Sequence, residues 1–284
     1  MKIALIQMNS QPDRRRNLVQ AERLMNEAMR GTPDLIVLPE HFDWMGGTAE
    51  DKRSAADRVP GGEAYGFIER FAKDNSVWIH AGSLLERQRN DGPVHNTTIV
   101  FNARGEEVGR YRKIHMFDIT APNGMTYAES SVVTPGDDLL IYELNGYRIA
   151  CVICYDLRFS RLFDRLAGEM VDIFILPAAF NRQTGRAHFE VLCRARAIEY
   201  QAYFVACGQC GSYPTPGGPR RETLGRSLVC DPWGTVIGKA GHFPAVLQVE
   251  IDPHRLAEVR RLIPMSEHRV LLDGKHLHIK PERM

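Results

Sequence analysis

The apolar positions of this chain change period from one end to the other. Short unbroken apolar runs, which suit strands buried on both faces, alternate with stretches where apolar residues recur every three or four positions, which suit helices with one buried face. Ile3-Ala4-Leu5-Ile6 is such a run, within a strand expected over residues 3–8. Over residues 14–30, Leu18, Ala21, Leu24, Met25 and Ala28 fall at helical spacing, and Gly31 ends the helix. Asp34-Leu35-Ile36-Val37-Leu38 is then a continuous strand that delivers Pro39 and Glu40 at its carboxyl end. A helix over residues 63–75, with Tyr65, Ile68, Phe71 and Ala72 on one face, leads into a strand over residues 77–85.

Two hairpins interrupt this rhythm. Residues 97–101 pair with 108–111 around Ala103-Arg104-Gly105, and residues 139–144 pair with 148–154 around Asn145-Gly146. Asn-Gly is a strong hairpin signal because both turn residues must take positive φ. Antiparallel hairpins among β-α-β units predict mixed sheets rather than one doubly wound parallel sheet. A helix over 160–168, a strand over 172–176, a helix over 186–201 and a strand over 204–207 continue the alternation. A hairpin around Asp231-Pro232-Trp233-Gly234 and a strand over 245–251 follow, and Asp252-Pro253 then opens a helix to Leu262, with Asp as cap and Pro in the first position. No stretch rich in Pro, Gly and Ser divides the chain, so residues 1–263 are expected to form one α/β domain. The tail, 264–284, has few apolar residues for a core and is expected to pack on a second subunit.

Composition narrows the partners. Hydrophobic residues at 44% and charged residues at 25% are those of an ordinary water-soluble domain. With 36 Lys and Arg against 35 Asp and Glu, the net charge of +1 argues against the basic surface that nucleic acid or anionic lipid would require. No apolar run approaches the roughly 18 residues of a membrane span. Asn9-Ser10-Gln11 also stops the first apolar run well short of an export-signal core, so a cytoplasmic protein is expected.

The six cysteines are then expected to be reduced thiols. Cys151/Cys154 and Cys207/Cys210 are CxxC pairs, which raises zinc. In an extended strand, however, residues three apart point to opposite faces, so Cys151 and Cys154 cannot chelate one ion without breaking the strand. Neither a metal nor a cofactor is called for.

A thiol becomes a useful nucleophile when a base takes its proton or a cation stabilises its anion. Cys154 follows an apolar run and precedes a polar turn, which places it at a strand-to-helix bend with the Tyr155 backbone N–H open to an oxyanion. Glu40 follows Pro39 at the end of a buried strand, a position where loops over α/β sheets carry function. Lys113 stands among Tyr111, Arg112 and His115 at the end of a hairpin strand. Taken singly, each has a plainer account: an inert packed thiol, a capping carboxylate, a snorkelling surface lysine.

Taken together they do not. Val37-Leu38-Pro39-Glu40, Tyr111-Arg112-Lys113-Ile114-His115 and Ile153-Cys154-Tyr155-Asp156-Leu157-Arg158-Phe159 resemble the Glu-Lys-Cys signature of the nitrilase superfamily of carbon–nitrogen hydrolases. Tyr127-Ala128-Glu129-Ser130, Pro177-Ala178-Ala179-Phe180-Asn181, Thr184-Gly185-Arg186-Ala187-His188-Phe189-Glu190 and Asp231-Pro232-Trp233-Gly234 extend the likeness to its Nit subgroup of amidases. The resemblance implies a four-layer α-β-β-α sandwich with mixed sheets, assembled as a homodimer or higher homo-oligomer, that acts on a small-molecule amide. It also implies Cys154 as nucleophile, Glu40 as general base, Lys113 as the cation that stabilises the tetrahedral intermediate, and Glu129 as a second glutamate orienting the lysine. Asp156 and Arg158 match a segment that supports the nucleophile.

Rival readings leave marks of their own. A Cys-His hydrolase would use His188 or His115 as base. His276-Leu277-His278 could place two imidazoles on one strand face, but no carboxylate or cysteine is spaced to complete a metal site. A dimeric scaffold with a dead site would be marked by loss of Glu40, Lys113 or Cys154, and all three are present. The segment around Ile114, Met116, Phe117, Asp118 and Ile119 resembles ω-amidases acting on α-keto acid monoamides. Cys207-Gly208-Gln209-Cys210-Gly211 and His268-Arg269 resemble the amidases of deaminated glutathione instead. A nitrilase or an N-carbamoyl amino acid amidohydrolase stays open. The two favoured substrates carry carboxylates, so a cationic anchor is expected, with Arg158 and Arg182 as candidates and Phe180 beside the site.

Overall fold

Residues 1–89 and 92–268 are described by a computed structural model, in which two mixed sheets stack face to face. In the first sheet the order is Ala245–Glu250, Lys2–Gln7, Leu35–Val37, Trp78–His80, Val94–Phe101, Leu84–Arg87 and Asp57–Arg58, with Glu107–Arg112 also paired to Val94–Phe101. Lys2–Gln7, Leu35–Val37 and Trp78–His80 run parallel, whereas Val94–Phe101 runs against all of its partners. The second sheet is Ile141–Leu144, Tyr147–Cys151, Ile173–Ala178, Tyr203–Gly208, Leu228–Cys230 and Val236–Lys239, its second, third and fourth strands parallel.

Side-chain alternation explains why the apolar runs are unbroken. In Lys2–Gln7, Ile3 and Leu5 join the core shared with the second sheet, while Ala4 and Ile6 join Leu24, Met25, Ile68 and Phe71 from the helices Arg14–Met29 and Glu63–Asn75. In the second sheet, Phe174 and Phe204 pack with Phe163 and Tyr200 of the helices Ser160–Ala167 and Arg182–Tyr200. The opposite face turns inward, where the Cys207 thiol reaches the carbonyls of Ile6 and Val37 at 3.4 and 3.3 Å. Each sheet therefore has a helical layer outside and the other sheet inside.

The structure corrects several local readings. Residues 77–85 are two strands, Trp78–His80 and Leu84–Arg87, separated by a turn at Gly82. Gly82 has φ of +56°, and a Cβ there would lie 2.1 Å from the Pro39 carbonyl, so only glycine lets this turn close against the segment that carries Glu40. The strand read as reaching Cys154 ends at Cys151. The long helix begins at Arg182, not 186, because the Asn181 side chain caps it by accepting from the Gln183 N–H at 2.8 Å. The helix Ala49–Ala55 and the hairpin of Cys210–Thr215 with Gly218–Leu224 had no expectation attached. All six cysteines are buried free thiols. No helix among the described residues is long and apolar enough to cross a membrane. The expectations for most of the tail, including His276 and His278, lie outside the described residues.

Candidate active site

Three chain segments converge where the two sheets open. Glu40 follows the strand Leu35–Val37 and is 2% exposed. Its loop is tied to the Gly82 turn: the Ser83 N–H donates to the Pro39 carbonyl at 3.2 Å, and the His41 N–H donates to Ser83 Oγ at 3.1 Å. Lys113, also 2% exposed, follows Glu107–Arg112. Cys154, 7% exposed, opens a short 3-10 helix, Cys154–Arg158, with φ of +45°. A non-glycine residue in the left-handed region costs roughly 1–3 kcal/mol and persists only where its surroundings hold it.

Asp156 does the holding. Its Oδ2 accepts from the Ile153 N–H at 2.9 Å and from the Tyr111 hydroxyl at 2.7 Å, and its Oδ1 accepts from the His115 N–H at 3.1 Å. One buried carboxylate thus ties the thiol's turn to the strand end that carries Lys113.

Lys113 Nζ lies 3.1 Å from Glu40 Oε1 and 2.7 Å from Glu129 Oε2. Asn96 Nδ2 donates to both carboxylates, at 2.9 and 3.1 Å, and the Phe117 N–H donates to Glu129 Oε2 at 2.7 Å. The Cys154 thiol is within hydrogen-bonding reach of Glu40 and of the Ala179 backbone. Burial works against both charges of the Glu40–Lys113 pair, but each is stabilised by its neighbours. Lys113 and His41 hold the Glu40 carboxyl below its usual range, and Glu129 and Glu40 hold the Lys113 ammonium well above its own. Burial, with the Glu40 charge beside it, pushes the Cys154 thiol up. At neutral pH the cluster therefore rests as thiol, carboxylate and ammonium, with the carboxylate placed to take the thiol proton. Tyr155 is second in its short helix, where backbone N–H groups lack partners within the helix.

These groups open into a cavity of about 1090 Å³, its open mouth included, walled also by Trp44, Phe117, Tyr127, Phe180 and Tyr213. Glu40, Lys113, Glu129, Cys154, Tyr155 and Phe180 all line it; Arg158 and Arg182 do not. The Arg158 guanidinium lies over the rings of Tyr155 and Phe180, with Nη1 3.2 Å from His188 Nδ1. Arg182 pairs with Glu222 at 3.1 Å. Neither rival imidazole reaches the cavity: His188 sits against Arg158, and His115 stacks on Phe159 with ring centres 3.7 Å apart. Glu40, His41 and Glu129 offer ligand atoms within 4.8 Å of one another, but Lys113 already bridges the two carboxylates with a positive charge that opposes a metal cation.

Sequence reasoning missed Asn96, Lys52 and Arg221. Asn96 left a faint signal, as the one amide in the strand Val94–Phe101, which the structure buries fully. Lys52 and Arg221 lie in the charged stretches Glu50-Asp51-Lys52-Arg53 and Arg220-Arg221-Glu222, and both line the cavity.

Residues 2–261 match the carbon-nitrogen hydrolase family. The chain is 35% identical over 272 residues to a deaminated glutathione amidase of Synechocystis, covering 95% of this chain and 98% of the relative. It is 34% identical over 274 residues to omega-amidase NIT2 of Mus musculus, covering 94% of each. The crystal structure of Saccharomyces cerevisiae Nit3, a member of branch 10 of the nitrilase superfamily, superposes with a TM-score of 0.82 at 27% identity, covering 94% of this chain and 95% of that one.

Proposed function

This chain belongs to the carbon–nitrogen hydrolase family, whose members it resembles as an amidase, and on that premise we propose that it hydrolyses a small carboxylate-bearing amide through a thioester on Cys154. The observation that carries this reading is a buried thiol in reach of a carboxylate that a buried ammonium keeps ionised.

The Cys154 sulfur attacks the amide carbon while Glu40 takes the thiol proton. The tetrahedral oxyanion is held by the Lys113 ammonium and the Tyr155 N–H. Glu129, bonded to Lys113 and to the Phe117 N–H, keeps that ammonium in place. Collapse breaks the carbon–nitrogen bond, and Glu40 gives its proton to the departing nitrogen. Glu40 then deprotonates a water that attacks the thioester; the carbon–sulfur bond breaks to free the acid, and the proton returns from Glu40 to the Cys154 sulfur.

The preferred substrate is an α-keto acid monoamide, in the manner of an ω-amidase. The relatives named deaminated glutathione amidase favour that compound as the second reading. Hydrolysis of α-ketoglutaramate, deaminated glutathione, a simple nitrile and an N-carbamoyl amino acid, read as ammonia or amine released, separates them; turnover confined to the last two would overturn the proposal. Because Lys113 and His41 outweigh burial at Glu40, the acid limb of kcat/KM should fall below pH 4.5. A limb in the histidine range would return the base to an imidazole. The reading includes a cytoplasmic homodimer whose residues beyond Ile263 pack on the partner. Light scattering of the full chain against one ending at Ile263 checks this, since only the full chain should hold the dimer.

A further inference from the structure

Two cations in the cavity are not used by the chemistry above. Lys52 projects from the helix Ala49–Ala55 and Arg221 from the strand Gly218–Leu224, and both line the space that Cys154 opens into. Among the described residues, no carboxylate forms an ion pair with either. Arg110, Arg112 and Arg182, by contrast, each hold one. Glu129, the carboxylate whose charge acts on Lys52, is already bonded to Lys113 at 2.7 Å, and the nearby Glu222 is held by Arg182 at 3.1 Å.

The Arg221 guanidinium is fixed in place. Its Nη2 donates to the Thr126 carbonyl at 3.0 Å, its Cζ lies 4.2 Å from the centre of the Tyr127 ring, and the Tyr213 hydroxyl is a further partner. Its Nε is buried with no hydrogen-bond partner among the described residues. A planar fork held this way, with an N–H to spare, suits a carboxylate. Burial and the Arg221 charge together push the Lys52 pKa down, as expected of two cations that face one cavity. An anion between them would relieve that repulsion.

We propose that Lys52 and Arg221 form the anion subsite that receives the carboxylate of the substrate whose amide meets Cys154. Resting on the amidase reading above, the inference adds the residues that select the acid. Trp44, Tyr127 and Tyr213 supply apolar walls for the methylenes between the two ends.

The test is a ratio. In each of wild type, Lys52→Gln, Arg221→Gln and Arg221→Lys, kcat/KM is measured for succinamate and glutaramate against butanamide and pentanamide, their counterparts with methyl in place of carboxylate. The acid-to-neutral ratio should fall about tenfold to a hundredfold in each Gln variant, mainly through KM, with Arg221→Lys between. A merely structural role would lower both substrates together and leave the ratio unchanged. That result, or a wild-type ratio near one, overturns the subsite. Calorimetric titration with succinate and glutarate gives a second reading that needs no turnover. If no amide is hydrolysed, the amidase reading fails, and the subsite still stands or falls on whether the Gln variants weaken diacid binding.

Discussion

Cys151 and Cys154 stand three residues apart, both buried, both with thiols pushed up by burial, and only Cys154 is proposed to react. Cys151 ends the strand Tyr147–Cys151, with its sulfur 4.0 Å from His80 Nδ1 and the Tyr142 hydroxyl 3.4 Å from the same nitrogen. On paper it is the more conventional thiol–imidazole pair. Burial, however, takes His80 down to about 3, so the ring is a weak base. Cys154 meets a carboxylate and an ammonium instead, and the Lys113 charge keeps that carboxylate ionised. A buried thiol becomes a nucleophile through the charges placed around it, not through burial or the nearness of an imidazole.

The sharpest way to break this comparison is to remove each sulfur in turn. Cys154→Ala should lower kcat by about 10⁵-fold. Cys151→Ala should retain turnover and lose about 1–2 kcal/mol of stability to the small cavity left behind. Mass spectrometry of the protein quenched during turnover should find the acyl adduct on Cys154, and an adduct on Cys151 would invert the assignment.

Lys113 tests the charges themselves. Lys113→Met should cost 10²–10³ in kcat through the lost oxyanion contact, on the order of 3–4 kcal/mol. It should also destabilise the fold by about 3–5 kcal/mol, because Glu40 and Glu129 are left buried without their cation. In urea titrations that second loss should shrink as the pH falls and the carboxylates gain protons. A loss independent of pH would mean packing, not charge, holds the cluster.

An effect on stability alone belongs to the His80 side. Its pKa is about 3 in the fold against 6.5 when exposed, so the unfolded chain binds the extra proton between these values. Stability from this group is full above pH 6.5 and declines as the pH falls toward 3. Between pH 7 and 5 the urea midpoint should report a loss of up to roughly 2 kcal/mol. His80→Asn should flatten that decline, and an unchanged slope would mean that other groups set it.

Much of this was legible in the chain. The apolar runs at residues 3–6 and 35–38 and the helical spacing at 14–30 mark strands and helices because each depends on a repeat only a few residues long. Asn145-Gly146 marked a hairpin for the same local reason, and the structure pairs Ile141–Leu144 with Tyr147–Cys151 there. The break at Gly82 was not legible, since it exists to let one turn lie against Pro39, a residue remote in sequence.

By itself, the sequence determined the α/β alternation, the mixed sheets and the segments that carry Glu40, Lys113, Glu129 and Cys154. What only the tertiary structure decided is how the neighbours of those segments meet. It left Arg158 and Arg182 engaged elsewhere, brought Asn96 onto two carboxylates, and brought Lys52 and Arg221 to the cavity wall. Periodicity records which way a side chain points from its own element. It holds no record of which distant element that side chain faces, and the charge a buried group bears depends on that neighbour.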